Sequence, residues 1–192
     1  IMIAVKSGKM VRFEESKTRP MGRTASGVRG ITLKDEQDEV IGMVSVNDME
    51  SEILVVAEKG YGKRSSIEEY RITNRGGKGV KTLNITDKTG NLIGIKAVNE
   101  TDQLMIINKS GLTIRMEVVD LRVMGRATQG VRLIKLNEDD EIASLAKIAE
   151  VKEDELAIGE DIDTSSNESN EPIDNTDYQD NIGTSTDTET EE

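Results

Sequence analysis

The stretch RPMGRTASGVRG, residues 19–30, returns about a hundred residues later as RVMGRATQGVRL, residues 122–133. Between them the chain writes RITNRGGKGVKT, residues 71–82, on the same plan. Gly8, Gly60 and Gly111 lie 52 and 51 residues apart, and Gly27, Gly79 and Gly130 keep those intervals. So do Arg12, Arg64 and Arg115, and so do Arg23, Arg75 and Arg126. Positions 3–33, 55–85 and 106–136 align without a gap. A period near fifty residues signals stacked supersecondary units or a propeller-like array.

Each unit has the same grammar. An apolar run (MIAV, EILVVA, LMII) meets a glycine turn, then a second run ends at the repeated arginine. A longer corner leads to a third run (GVRGITL, GVKTLNI, GVRLIKL), and a charged or glycine-rich turn leads to a fourth (VIGMVSV, LIGIKAV, IASLAKI). Short Val- and Ile-rich runs between turn residues read as strands. Four strands per unit in three units predict an all-β chain of three four-stranded blades. Aromatic content is 2%, so the packing between blades must be aliphatic.

Two corner positions carry backbone information. Gly22, Asn74 and Gly125 occupy one site, and Gly and Asn tolerate positive φ, so a left-handed residue is expected there. Gly27, Gly79 and Gly130 never vary, which means either positive φ or a backbone too close for a Cβ. Arg29, Lys81 and Arg132 share strand parity with apolar neighbours, so each sits at a strand's end or is turned outward by a bulge.

The net charge of −12 conceals two unlike segments. Residues 1–150 hold 24 Lys/Arg against 22 Asp/Glu, whereas residues 151–192 hold one Lys against 15 acids. The domain boundary is therefore placed at 150, with 1–150 a blade domain and 151–192 an acidic tail too poor in apolar residues to fold. Asp161 and Asp163 hint at a calcium loop, but Ser166 and Pro172 stand where its glycine and terminal glutamate belong. There is no cysteine or histidine, which excludes disulfides, thiolate and imidazole catalysis and most zinc sites. No P-loop spacing occurs, and no apolar run approaches a membrane span. Tyr61, Tyr70 and Tyr178 have no carboxylate cluster or basic set beside them that would mark a nucleophile. No catalytic and no metal-binding residue is expected.

Positive charge gathers at the corners: residues 12–29 and 64–81 each carry +3 and residues 115–132 carry +2, while acids gather in the hairpins KDEQDE and NEDDE. Stacked blades would align these corners as a basic stripe, the footprint of a nucleic-acid surface. Edge charges that guard exposed strands are the plainer alternative for any one arginine. With one Phe and three Tyr there is no stacking platform for single strands, and no basic recognition helix. What remains is sequence-independent contact with duplex phosphates. The expected DNA-binding set is Arg12, Arg19, Arg23, Arg29, Arg64, Arg71, Arg75, Lys78, Lys81, Arg115, Arg122, Arg126 and Arg132.

These corners, with EKGYGKRSSIEEY at residues 58–70, resemble the C-terminal domain of the DNA gyrase A subunit over residues 1 to about 150. The resemblance implies a β-pinwheel, a disc of about six four-stranded blades whose basic rim wraps duplex DNA and bends it, so that the holoenzyme introduces negative supercoils using ATP. It implies further partners, the B subunit together with the rest of the A subunit, in an A2B2 complex, and a bacterial cytoplasmic, nucleoid-associated setting. ATP and Mg2+ would bind other domains, so this piece is itself no enzyme but part of an ATP-dependent type II topoisomerase. The family's heptad Gln-Arg-Arg-Gly-Gly-Lys-Gly is matched only from Arg75 through Gly76, Gly77 and Lys78 to Gly79, a box-like corner. The full heptad and further blades are expected upstream of Ile1. The A-type subunit of topoisomerase IV and a protein-interaction propeller are the alternative readings. An acidic tail tethered beside a basic rim could also compete with DNA for it.

Overall fold

Apolar runs closed by glycine turns make hairpins, and this chain makes three. In the computed structural model, which describes residues 1–137 and 139–148, β1 (Met2–Val5) pairs antiparallel with β2 (Lys9–Arg12). Likewise β4 (Glu52–Ala57) pairs with β5 (Tyr61–Ser66), and β8 (Gln103–Asn108) with β9 (Thr113–Glu117). Gly8, Gly60 and Gly111 turn the hairpins at φ of +78°, +82° and +88°, a conformation that costs an L side chain about 1–2 kcal/mol. Each donates its N–H to the carbonyl three residues back, on Val5, Ala57 and Asn108. The fourth run returns beside the first: β3 (Val40–Val44) on β1, β7 (Leu92–Val98) on β4 and β11 (Ile142–Ile148) on β8.

The third run does not pair within its own repeat. β6 (Val80–Lys81) belongs to the second repeat but pairs with β2 of the first, and β10 (Val131–Arg132) of the third repeat pairs with β5 of the second. The sheets therefore run β3-β1-β2-β6, β10-β5-β4-β7 and β11-β8-β9. The fold is the expected all-β pinwheel, with one correction to the plan of a blade. A blade takes three strands from one repeat and its outer strand from the next, because the corner before each third run is long enough to cross to the neighbour. Residues 27–33 of the first repeat form no strand, and the third sheet has three strands among the described residues. Residues 151–192, read as the tail, lie outside the described residues.

The blades stack face to face through aliphatic side chains. Strand β4 shows how: Ile53, Val55 and Ala57 pack in one cluster with Met2, Ala4 and Met10 of the first blade. Leu54 and Val56, pointing the other way, join Leu104, Ile106 and Ile142 of the third. A two-residue side-chain period buried on both faces is what a central blade requires. No helix among the described residues is long and apolar enough to cross a membrane.

Candidate nucleic-acid interface

The corners are built around β-turns, and the second and third lie against the preceding repeat. Ala25 donates its N–H to Gly22 and Thr128 to Gly125, so Gly22 and Gly125 open their turns. That position is compatible with negative φ, and neither they nor Asn74 adopts positive φ. The expected left-handed residue lies instead at Gly27, Gly79 and Gly130, with φ of +78°, +73° and +78°. At Gly79 and Gly130 close approach applies as well. A Cβ there would sit 2.7 Å from the Met10 carbonyl oxygen and 2.5 Å from that of Gly62, whereas at Gly27 it would meet nothing within 4 Å.

The repeated arginines divide into two kinds. Arg12 donates to the carbonyls of Ile67 (3.0 Å) and Tyr70 (3.1 Å) in the next repeat. Arg64 does the same one repeat on, to Leu121 (2.6 Å) and Val119 (3.2 Å), and is paired with Glu52 at 2.8 Å. Its side chain is 5% exposed. Arg75 and Arg126 reach backwards, to the carbonyls of Arg29 (2.6 Å) and Lys81 (3.0 Å). These four guanidiniums clasp neighbouring repeats. Arg64 in particular has no surface to offer a phosphate, which corrects its place in the expected DNA-binding set: its guanidinium is spent on carbonyls inside the blade junction. Arg115, third in the Arg12 series, is exposed and among the described residues bonds only to the Gln103 side chain.

Nine of the thirteen residues remain on the surface: Arg19, Arg23, Arg29, Arg71, Lys78, Lys81, Arg115, Arg122 and Arg132. None of the nine is ion-paired among the described residues. Lys81 and Arg132 settle the parity question, because β6 and β10 are two residues long and end on them. The charge therefore projects from a strand end, with no bulge. Around the box-like corner, Arg71 and Arg75 through Gly79 line a cleft of about 430 Å³ with Arg12. Its backbone is held to the first repeat, Gly76 donating to Gly30 and Thr32 to Gly77.

The acidic hairpins have a structural use. Asp38 accepts hydrogen bonds from the Ser7 backbone and hydroxyl and from the Lys34 backbone. Burial pushes its carboxyl up, but those bonds outweigh it and hold the pKa below the usual value. Asp140 takes Asn108 and Ser110 in the same way, whereas the register puts Gly90 at the equivalent place in the second repeat.

Sequence reading missed several cations. Lys9 stands directly opposite Lys81 across β2 and β6, a like-charge pairing that is unfavourable unless an anion lies near. Tyr61, unmarked by its sequence neighbours, acquires cationic partners from the fold. Arg132, 71 residues away, donates to its hydroxyl at 3.2 Å, and Arg132 and Lys88 both lie 5.6 Å from the ring centroid. Lys63 is fully buried, its ammonium on the Gly125 carbonyl (2.5 Å) and Thr128 hydroxyl (3.1 Å). Burial lowers its pKa to about 8. The aligned positions, Val11 and Ile114, gave no sign that this lysine is internal.

The model of the DNA gyrase C-terminal domain, beta-propeller, matches residues 1–47, 51–99 and 102–149. The DNA gyrase A subunit of Staphylococcus aureus is 48% identical over 156 residues, 81% of this chain and 18% of that protein. A solved DNA gyrase A C-terminal domain superposes with a TM-score of 0.70 at 26% identity, covering 77% of this chain and 50% of that one. The C-terminal domain of a DNA topoisomerase IV superposes at 0.75 with 23% identity, over 82% and 49%, which shows the shared fold. The chain thus spans under a fifth of its curated relatives' length.

Proposed function

We infer the function from a plain premise: this chain belongs to the DNA gyrase C-terminal domain family. It is a DNA-wrapping module, holding duplex DNA by its phosphates along the corners and bending it, without reading sequence. One observation carries the reading: exposed cations recur in register at three successive corners, unpaired among the described residues, on turns that the clasping arginines hold in place. Backbone contacts of this kind position a duplex and carry no base information. Bending 20–30 base pairs by 40–90° costs on the order of 1–6 kcal/mol, which several charge-assisted contacts offset.

In the whole protein this module serves an ATP-dependent type II topoisomerase of A2B2 composition that introduces negative supercoils in the bacterial cytoplasm, at the nucleoid. Nucleotide and Mg2+ bind other domains. Topoisomerase IV shares the fold, but the 48% identity lies with the A subunit of gyrase, and gyrase is the reading adopted. The test is a salt titration of binding to a duplex of about 40 base pairs; neutralising 6–10 phosphates predicts a fall of roughly 10³–10⁵-fold in affinity between 50 and 200 mM salt. Running residues 1–150 beside 1–192 tests the tail, whose removal should tighten binding at low salt. Affinity indifferent to salt, or a protein partner retained after the exposed corner cations are removed, would overturn the DNA reading.

A further inference from the structure

The second blade differs from its neighbours at the hairpin end. Where the first and third repeats place Asp38 and Asp140 with further acids around them, the second has Gly90, preceded by Lys88 and Thr89. The result is a cleft of about 480 Å³ in which Lys59, Lys88, Arg132 and Lys135 gather around Tyr61. All four cations are exposed, and none has a carboxylate within salt-bridge distance among the described residues. Asp139 and Asp140 also line the cleft; Asp140 is committed to Asn108 and Ser110, and the four cations outnumber the two carboxylates.

The cluster is ordered rather than merely crowded. Tyr61 lies opposite Arg132 across β5 and β10, and its hydroxyl accepts from that guanidinium. Arg132 and Lys88 are both held against the ring, an arrangement favoured by the ring's quadrupole. The Lys59 ammonium is fixed on the Asp87 carbonyl at 2.6 Å. Like charges held together in fixed positions repel one another until an anion joins them. The hydroxyl still has its own proton to donate, and the guanidinium fork suits two oxygens of one group. The aligned positions hold Lys9 in the first repeat and Leu112 in the third, so no equivalent aromatic cluster forms there.

We propose that the Tyr61–Lys88–Arg132 cleft is a phosphate-binding site, with Lys59 and Lys135 at its rim. Arg132 and Lys88 close on one phosphate group while the Tyr61 hydroxyl donates to an anionic oxygen. That the occupant is a phosphodiester of duplex DNA rests on the function proposed above; a free phosphate compound shares the chemistry.

Tyr61 reports on its own site. The chain has no tryptophan, and with Tyr178→Phe only two tyrosines remain. The Arg132 hydrogen bond holds the Tyr61 pKa below the usual tyrosine value, whereas burial raises that of Tyr70. In an absorbance titration the Tyr61 phenolate therefore forms first. A bound phosphate neutralises the flanking cations, so inorganic pyrophosphate or duplex DNA should move the Tyr61 titration to higher pH and leave Tyr70 in place. Lys88→Ala should also lower the salt slope of duplex binding by about one. A response to duplex but not pyrophosphate supports the site with DNA as occupant; a response to pyrophosphate supports it as a general phosphate site. Tight, salt-sensitive duplex binding with the Tyr61 titration and the Lys88→Ala slope unchanged would overturn this site and leave the wrapping function standing. Silence towards both anions, with no duplex binding, would overturn both.

Discussion

Replacing Arg64 with alanine separates a clasp from a DNA contact. The substitution leaves the carbonyls of Leu121 and Val119 without their donor and Glu52 without its cation. Hydrogen bonds to a charged group contribute about 1.5–3 kcal/mol each, and breaking a buried ion pair costs about 3–5 kcal/mol. The Glu52 side chain is 20% exposed and can recover some hydration, so the lower end of that range, about 3 kcal/mol, is expected. With a urea slope of about 1–3 kcal/mol per molar, the unfolding midpoint should fall by on the order of 1–3 M. Arg64→Lys should recover less than half, since an ammonium cannot serve two carbonyls and a carboxylate in the geometry of the guanidinium fork. Arg115→Ala, at the aligned but exposed position, should change stability by less than about 0.5 kcal/mol. The assay is urea unfolding followed by circular dichroism, paired with the salt slope of duplex binding where each variant is folded. A lowered salt slope for Arg64→Ala with an unmoved midpoint would refute the clasp.

Two further substitutions probe the same junctions. Gly130→Ala must both adopt positive φ and push a Cβ into the Gly62 carbonyl, while Gly27→Ala faces the φ cost alone; thermal unfolding should show the first losing at least about 1 kcal/mol more than the second. Because the folded pKa of Lys63 is lowered to about 8 from an ordinary 10.5, the unfolded chain binds more protons between those values, and stability should rise with pH across that window. Urea midpoints at intervals from pH 7.5 to 10.5 should show the wild type gaining on Lys63→Met as pH rises, because that rise disappears from the variant; parallel curves would contradict it.

The strands and hairpin turns were legible because their signals are local. Gly8, Gly60 and Gly111 turn where the runs around them require it, and the apolar run EILVVA does become a strand buried on both faces. Strand exchange was not legible, for a physical reason. A repeat of four runs can be cut at any phase, and residues 67–79 are long enough to return to their own hairpin or to cross to the previous one. Only the pairing of Val80 with Met10 decides. The roles of the arginines were hidden for a related reason. Carbonyl oxygens and phosphate oxygens ask the same thing of a guanidinium, so residue type does not separate Arg64 from Arg132, nor register Arg64 from Arg115; burial does. One sign was available: Arg12 and Arg64 lie on the hairpin strands β2 and β5, whose other ends pair with the next repeat, whereas Arg29 and Arg132 follow the corner glycines.

Strand exchange also explains why the two kinds of arginine occur together. A corner that carries cations to a rim repels itself, and an unpinned loop would relax by spreading them. Here the second and third corners are each tied twice to the preceding repeat. Thr73 and Met124 donate backbone N–H groups to the carbonyls of Arg12 and Arg64, and Arg75 and Arg126 reach back to Arg29 and Lys81. The residues whose carbonyls accept those last two bonds are themselves rim cations, so the backbone that presents one repeat's positive charge is anchored by the next repeat's arginine. Adjacent corners are thereby tied to one another, which is what the proposed wrapping of a stiff, regularly charged duplex requires.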